Sequence, residues 1–283
     1  GANWFAGFLD KTLCASLWSN KQVCIAGSGA ATGKASITKN GYIVKGDWKY
    51  ATGAPHATVF SANCIIEKDG EPLLTEDNTP VLKAFIFTRD EVEIRHNWNT
   101  IGMKATASHS FSVKALELPF SRSFIIHPDQ AVLPDLIFQI PFQSFAEITL
   151  AANFSGIAAH FIEECKRLYE DRIKRHAYAI TETCEMLDLL GRTRSKLEGT
   201  QLRFYHAFDK AWQNANHDKQ WNPKDIETLK QVCRNIVQQA RHSVDELFPY
   251  CGMTAANEDS EINRVWRDFH TASLHGIFTF GCR

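Results

Sequence analysis

Near its end the chain sets Arg264, Arg267, Asp268, His270 and His275 among Val265, Trp266, Phe269 and Leu274. On a helix, steps of four and seven residues return to nearly the same angle, which puts Arg264, Asp268 and His275 on one face. Arg264 and Asp268 can then pair directly. His275 falls two turns beyond Asp268, roughly 10 Å along the axis, so the two are no hydrogen-bonded dyad and His275 is free to face something else. A histidine titrating near neutrality suits general acid or base work. The plainer alternative is an Arg-Asp pair that orients a packed helix, with His275 a satisfied interior residue.

Two other stretches have chemical potential. In Gly46-Asp47-Trp48-Lys49-Tyr50-Ala51-Thr52-Gly53, Trp48 and Tyr50 are two apart and point to the same face of a strand. The hydroxyl and amide of Thr52, before a permissive Gly53, could hydrogen-bond a flat heterocycle stacked nearby. The alternative is a strand with a half-buried aromatic pair that ends in a turn. In the run from Trp98 to Ser108, small residues and hydroxyls allow a backbone to approach a ligand closely. A plain loop between strands explains the same composition. There is no P-loop, H-E-x-x-H or G-x-S-x-G motif, and Gly27-Ser28-Gly29 lacks the βαβ setting of a dinucleotide fingerprint. The eight cysteines include no C-x-x-C pair and no zinc spacing, so no metal site is expected.

The elements that must position these residues change character along the chain. Residues 1–22 carry Trp4, Phe5, Phe8 and Trp18 and predict a helical turn or two that docks elsewhere. Over residues 23–128, glycines punctuate short β-type runs, with a hairpin signal at Asn40-Gly41 and turns at Asp69-Gly70 and Asp77-Asn78-Thr79-Pro80. That pattern predicts an antiparallel barrel or sandwich. Residues 129–283 read as helices. One follows Pro141, a second covers about 179–216 with a break at Gly191 or Gly199, and a third is capped by Asn222 with Pro223 at its first position. With the terminal helix they suggest a four-helix bundle. The expected class is an α+β multidomain protein.

The chain has 283 residues, 44% hydrophobic and 22% charged, an ordinary globular composition. Its net charge of -1 leaves no electrostatic footprint for nucleic acid or an anionic membrane. The apolar region from Leu136 to Ile162 is interrupted by Gln139, Pro141, Gln143, Glu147, Asn153 and His160, which argues for a buried helix and against a membrane span. Scattered cysteines in a chain of this size fit reduced thiols in a cytoplasmic protein. The chain opens at Gly1 without an initiator Met or a signal pattern, which fits either a processed product or a chain with further residues upstream.

Taken in order, these motifs resemble the acyl-CoA dehydrogenase superfamily, and within it the two-component flavin monooxygenase branch. The resemblance rests on Gly33-Lys34-Ala35, on Gly41 through Gly53, on His56-Ala57, on Trp98 with Gly102 through Ser108, and on Ile262 through His275. It implies a helical N-terminal domain, of which residues 1–22 are a remnant, a middle β domain and a C-terminal bundle. It also implies a flavin between the last two, in a homotetramer or dimer. Tyr50, Ala51, Thr52, Gly53, Thr106 and Ser108 match segments near the isoalloxazine, with Thr52 near N5 and O4, where Ser is common. Trp98 and His270 become substrate contacts, and Arg264, Arg267 and Asp268 structural support. Ala107 stands where the family usually has Gly. Dehydrogenases of this family often carry a catalytic Glu about two turns beyond the Arg-Asp pair; here no Asp or Glu follows Asp268, and His275 sits beside that place. The resemblance therefore implies an oxidoreductase that hydroxylates an aromatic or other electron-rich small molecule with O2 and reduced FMN or FAD, delivered by a separate flavin reductase. His275 would deprotonate or polarise the substrate. An acyl-CoA dehydrogenase acting on a CH-CH group with FAD, and a non-catalytic assembly protein of the same fold, stay open as alternatives.

Overall fold

Trp48 lies at the centre of the sheet in a computed structural model that describes residues 2–175 and 179–279. The extreme ends of the regions expected at 1–22 and 129–283 lie outside the described residues. The chain divides into two units, Gly1–Asn99 with Lys104–Pro141, and Thr100–Met103 with Phe142–Arg283.

In the first unit, β1 (Ile25–Ile37) and β2 (Gly41–Ala51) form the expected hairpin, closed by the Thr38 amide on the Gly41 carbonyl at 2.9 Å. β3 (Val59–Lys68), β4 (Glu71–Pro72), β5 (Leu82–Thr88), β6 (Glu93–Arg95), β7 (His109–Pro119) and β8 (Ser123–Phe124) complete an eight-stranded sheet. Its order is β6-β7-β2-β1-β3-β5-β8, with β4 on β3. Asp69 (φ 54°) and Gly70 (φ 87°) both adopt the left-handed conformation that a two-residue hairpin turn requires. The sheet departs from the antiparallel expectation at one place: β1 and β3 are parallel. After β2 the chain returns on the far side of β1, so the two outward strands run the same way.

Trp48 is fully buried between Phe87 and Phe111, at ring distances of 5.8 and 5.2 Å. Its Nε1 donates to the Asn63 carbonyl at 3.0 Å. A Cβ at Gly33 or Gly46 would collide with this indole, which accounts for both glycines. Tyr50 does not share the face of Trp48, as its spacing suggested. It is 60% exposed, because the β2–β7 register slips between Trp48 and Ala51 and resets the alternation.

The first residues dock within the same unit. A 3-10 turn, Ala2–Phe8, leads into α1 (Lys11–Trp18), which is capped by Asp10. Trp4 donates its indole N–H to the Ile137 carbonyl at 2.7 Å, and Gly7 lies flat against the Phe138 ring.

The second unit consists of α2 (Phe142–Lys174), α3 (Ile180–Asp218), α4 (Pro223–Leu247), α5 (Gly252–Ala256) and α6 (Glu261–Ala272). Phe154, Phe161 and Tyr169 of α2 share one core with Leu197 and Phe204 of α3, Ile236 and Val244 of α4, and Val265 and Phe269 of α6. Asn222 caps α4 as expected, accepting the Lys224 amide at 2.8 Å. The break expected in α3 is absent. Each helical glycine costs about 1 kcal/mol, but the buried stripe Leu189, Leu190, Thr193, Leu197, Thr200 and Phe204 runs past Gly191 and Gly199 and holds the helix through them. Among the described residues, α2 is the one helix long and apolar enough to cross a membrane. In the bundle it buries ten of its residues, Glu147 included.

Gly33→Ala is expected to lower stability by about 1–3 kcal/mol, because its Cβ would press on Trp48 and the Cys64 sulfur. A fall in the urea midpoint at unchanged m checks it; an unchanged midpoint contradicts the packing described.

Candidate functional site

β2 ends at the buried Ala51, and the chain turns through the exposed Thr52 into Gly53. Gly53 is left-handed (φ 77°), with open space where a Cβ would stand. Its amide donates to the Thr106 carbonyl at 2.8 Å. This backbone bond brings together hydroxyls more than fifty residues apart in sequence. Thr52 Oγ1 lies 3.0 Å from Ser108 Oγ, and Ser108 Oγ lies 2.8 Å from Thr106 Oγ1. Ser108, 4% exposed, is the hub of this triad. A hydroxyl can donate once and accept twice, so Ser108 can bond both threonines at once.

Tyr50 and Trp98 stand beside these residues in chain order and meet edge to face, 5.4 Å between ring centres. Two residues that the sequence did not single out fix Trp98. His109 Nδ1 accepts the Trp98 amide at 3.0 Å, and His109 pairs with Ala51 across the β ladder. Asn97 bonds Ser110 twice, amide to hydroxyl and carbonyl to backbone N–H, each at 3.0 Å. No periodicity links residues 11 or 13 apart on different segments, so neither partner carried a sequence signal. Ala107 (φ 42°) sits in left-handed backbone, which costs a non-glycine residue about 1–2 kcal/mol. Hydroxyls, a flexible glycine and two flat rings suit a planar heterocycle with a polar edge, and the open side of Gly53 leaves room for its approach.

The other candidates belong to the helical unit. Arg264 pairs with Asp268 at 2.9 Å and also grips Glu261. The second carboxylate oxygen of Asp268 accepts the Met103 amide. Arg267 donates to the Ile101 carbonyl at 3.1 Å and the Glu258 carbonyl at 2.8 Å. Gly102 lies so close to the Arg267 carbonyl that a Cβ would overlap it. At this position the small residue serves contact with α6, where the sequence suggested room for a ligand.

His270 is half-buried, its ring 4.4 Å from Trp266 and its Nε2 3.2 Å from Asp245 Oδ1. Burial pushes its pKa down, Asp245 opposes and Arg241 adds to the fall. His275 is not on the Arg264–Asp268 face, because α6 stops at Ala272. The Leu274 and His275 amides bond three residues back, and Arg241 caps the Ser273 carbonyl, so the chain leaves the helix there. His275 instead caps the 3-10 turn Gly276–Phe278, its Nδ1 accepting the Ile277 amide at 3.3 Å. Leu274 is 80% exposed and takes no part in the apolar stripe. Although His275 is exposed as a residue, atoms around its ring desolvate it enough to lower its pKa.

Residues 148–280 match the family described as acyl-CoA dehydrogenase, C-terminal domain. The flavin-dependent monooxygenase oxygenase subunit HsaA of Mycobacterium tuberculosis is 24% identical over 297 residues, spanning 96% of this chain and 70% of that protein. The 3-HSA hydroxylase from Rhodococcus sp. RHA1 superposes with a TM-score of 0.87 at 20% identity, over 98% of this chain and 72% of that one. XiaF from Streptomyces sp., solved with FADH2 and glycerol, gives 0.80 at 20% identity over 98% and 71%.

Asp268→Ala removes the acceptor for Met103 and the partner of Arg264. It is expected to cost about 2 kcal/mol and to speed hydrogen exchange at the Met103 amide; an unchanged exchange rate there contradicts the anchoring role.

Proposed function

We propose that this chain, acyl-CoA dehydrogenase-like in fold and matching that family's C-terminal domain over residues 148–280, is the oxygenase component of a two-component flavin-dependent monooxygenase. The observation that carries the proposal is the convergence of Thr52, Thr106 and Ser108 on one another beside the Gly53 amide. Oxygenase subunits among its relatives support the class. The cofactor is reduced FMN or FAD, and a separate flavin reductase supplies it. When bound, the reduced flavin supplies the electrons that activate O2 for insertion of one oxygen atom into an aromatic or other electron-rich small molecule.

The residues of this chain divide the remaining work. Thr52 and Ser108, backed by Thr106, hydrogen-bond the polar edge of the flavin. Gly53 and Tyr50 shape the surface beside it, with Ala51 buried beneath them, and Trp98 and His270 contact the substrate. Arg264, Arg267 and Asp268 hold α6 and the loop 100–103. His275 acts on the substrate oxygen. Its Nδ1 is engaged as an acceptor, so the neutral ring carries its proton on Nε2. That tautomer donates a hydrogen bond, which polarises a phenolic oxygen and favours this role over proton abstraction. Because its pKa is lowered, the neutral ring persists through neutral pH and is lost only as pH falls below the usual 6.5.

The same reading includes a cytoplasmic homo-oligomer, a dimer or tetramer. The cysteines among the described residues are free thiols, which supports the location. Leu202 (73% exposed) and Tyr205 (50%) give α3 apolar surface of the kind that a partner copy covers. Light scattering on the purified chain measures the assembly, and a monomer refutes it.

Thr52→Val and Ser108→Ala are each expected to weaken binding of reduced FMN or FAD about tenfold, read by anaerobic titration. His275→Ala should leave that affinity intact and lower kcat/KM about 100-fold, with the acid limb of the wild-type pH profile below 6.5. Failure of the full chain to bind either reduced flavin would sink the proposal.

A further inference from the structure

The core of the helical unit holds a pair of thiols that the proposed activity does not use. Cys165 of α2 and Cys251, in the 3-10 turn Phe248–Cys251 after α4, are both fully buried. Their sulfurs are 3.5 Å apart although 86 residues separate them in sequence. Closing that gap to the disulfide length of about 2.05 Å requires a movement of about 1.5 Å. We propose that Cys165 and Cys251 are a peroxide-oxidisable dithiol whose disulfide ties α2 to the corner from which the chain runs into α5 and α6.

The surroundings distinguish the two sulfurs. Arg172 donates to the Tyr250 carbonyl at 2.9 Å and to the Cys251 carbonyl, which brings its guanidinium beside Cys251. The hydrogen bond from Cys165, then Arg172 and Tyr169, lower the Cys251 pKa against the opposing effect of burial. The Cys165 thiol is pushed up, mainly by that same hydrogen bond and by burial. The guanidinium beside Cys251 assigns Cys251 as the attacking thiolate and Cys165 as the resolving thiol. The Cys251 sulfur attacks one peroxide oxygen, the O–O bond breaks, and the departing hydroxide takes up the proton that Cys251 lost, leaving water and Cys251 sulfenic acid. The Cys165 sulfur then attacks the Cys251 sulfur, the S–O bond breaks, and hydroxide leaves with the Cys165 proton as a second water. Two thiols are oxidised by two electrons and one peroxide is reduced to two waters.

The corner is mechanically connected. Phe248 stacks on Trp266 of α6 at 4.5 Å, and Arg172 grips the turn from α2. A covalent tie at Cys251 would restrain both.

The folded full-length chain is treated with hydrogen peroxide, raised until the exposed Cys24 and Cys184 are oxidised, then alkylated in denaturant and digested without reduction. The expected product is a Cys165–Cys251 linked peptide, two hydrogens lighter than its halves and released by dithiothreitol. Cys165→Ser should accumulate a sulfenic acid at Cys251 that dimedone traps. If wild-type Cys165 and Cys251 are both recovered alkylated while Cys24 and Cys184 are oxidised, the proposal is overturned.

Discussion

A buried indole fixes much of the sheet unit. Trp48 has one polar atom, and burial obliges that atom to find an acceptor. It finds the Asn63 carbonyl only by lying across β1 toward β3, and that path is open because Gly33 and Gly46 lack side chains. Beyond the indole, β2 and β7 slip by a residue before they pair again at Ala51 and His109. Tyr50 turns outward, Ala51 turns inward, and Thr52 emerges where it meets Ser108. The packing of one large side chain thus precedes, in the chain of causes, the arrangement of the candidate site.

The helical unit solves a different problem. The segment 100–103 is short and bears amides and carbonyls that need partners. α6 supplies them from one side: Asp268 accepts from Met103 and Arg267 donates to Ile101. Arg264 holds the Asp268 carboxylate in orientation. Three neighbouring charged residues therefore do mainly structural work, while the two histidines toward the end of α6 and beyond it sit where desolvation of the ring lowers their pKa.

Much of this was legible in the sequence. The Asn40-Gly41 hairpin, the turn at Asp69-Gly70, the Asn222-Pro223 cap and the Arg264–Asp268 pair follow from local rules that need only a few neighbouring residues. The order of the motifs along the chain supplied the fold class. What local rules could not supply were choices made by distant partners. The parallel β1–β3 pair depends on which edge the returning strand takes, and the outward turn of Tyr50 depends on a slip against β7. The continuity of α3 depends on the core it packs against. The departure of His275 from the α6 face depends on Arg241, a residue of another helix. His109 and Asn97 escaped notice for the same reason: each acts through a backbone or hydroxyl group that sequence spacing does not bring near.

The hydroxyls of Thr52, Ser108 and Thr106 are joined in a chain of hydrogen bonds, and such a chain has two senses. If the protons all point one way, Thr52 presents a donor at the exposed end; if they all turn, it presents a lone pair. Rotating three C–O bonds exchanges the two senses without moving a heavy atom. A ring nitrogen that gains a proton on reduction makes the opposite exchange, from acceptor to donor. The cluster can therefore stay in register with such a nitrogen in both redox states, which a fixed backbone amide or an ionised side chain in the same place could not do.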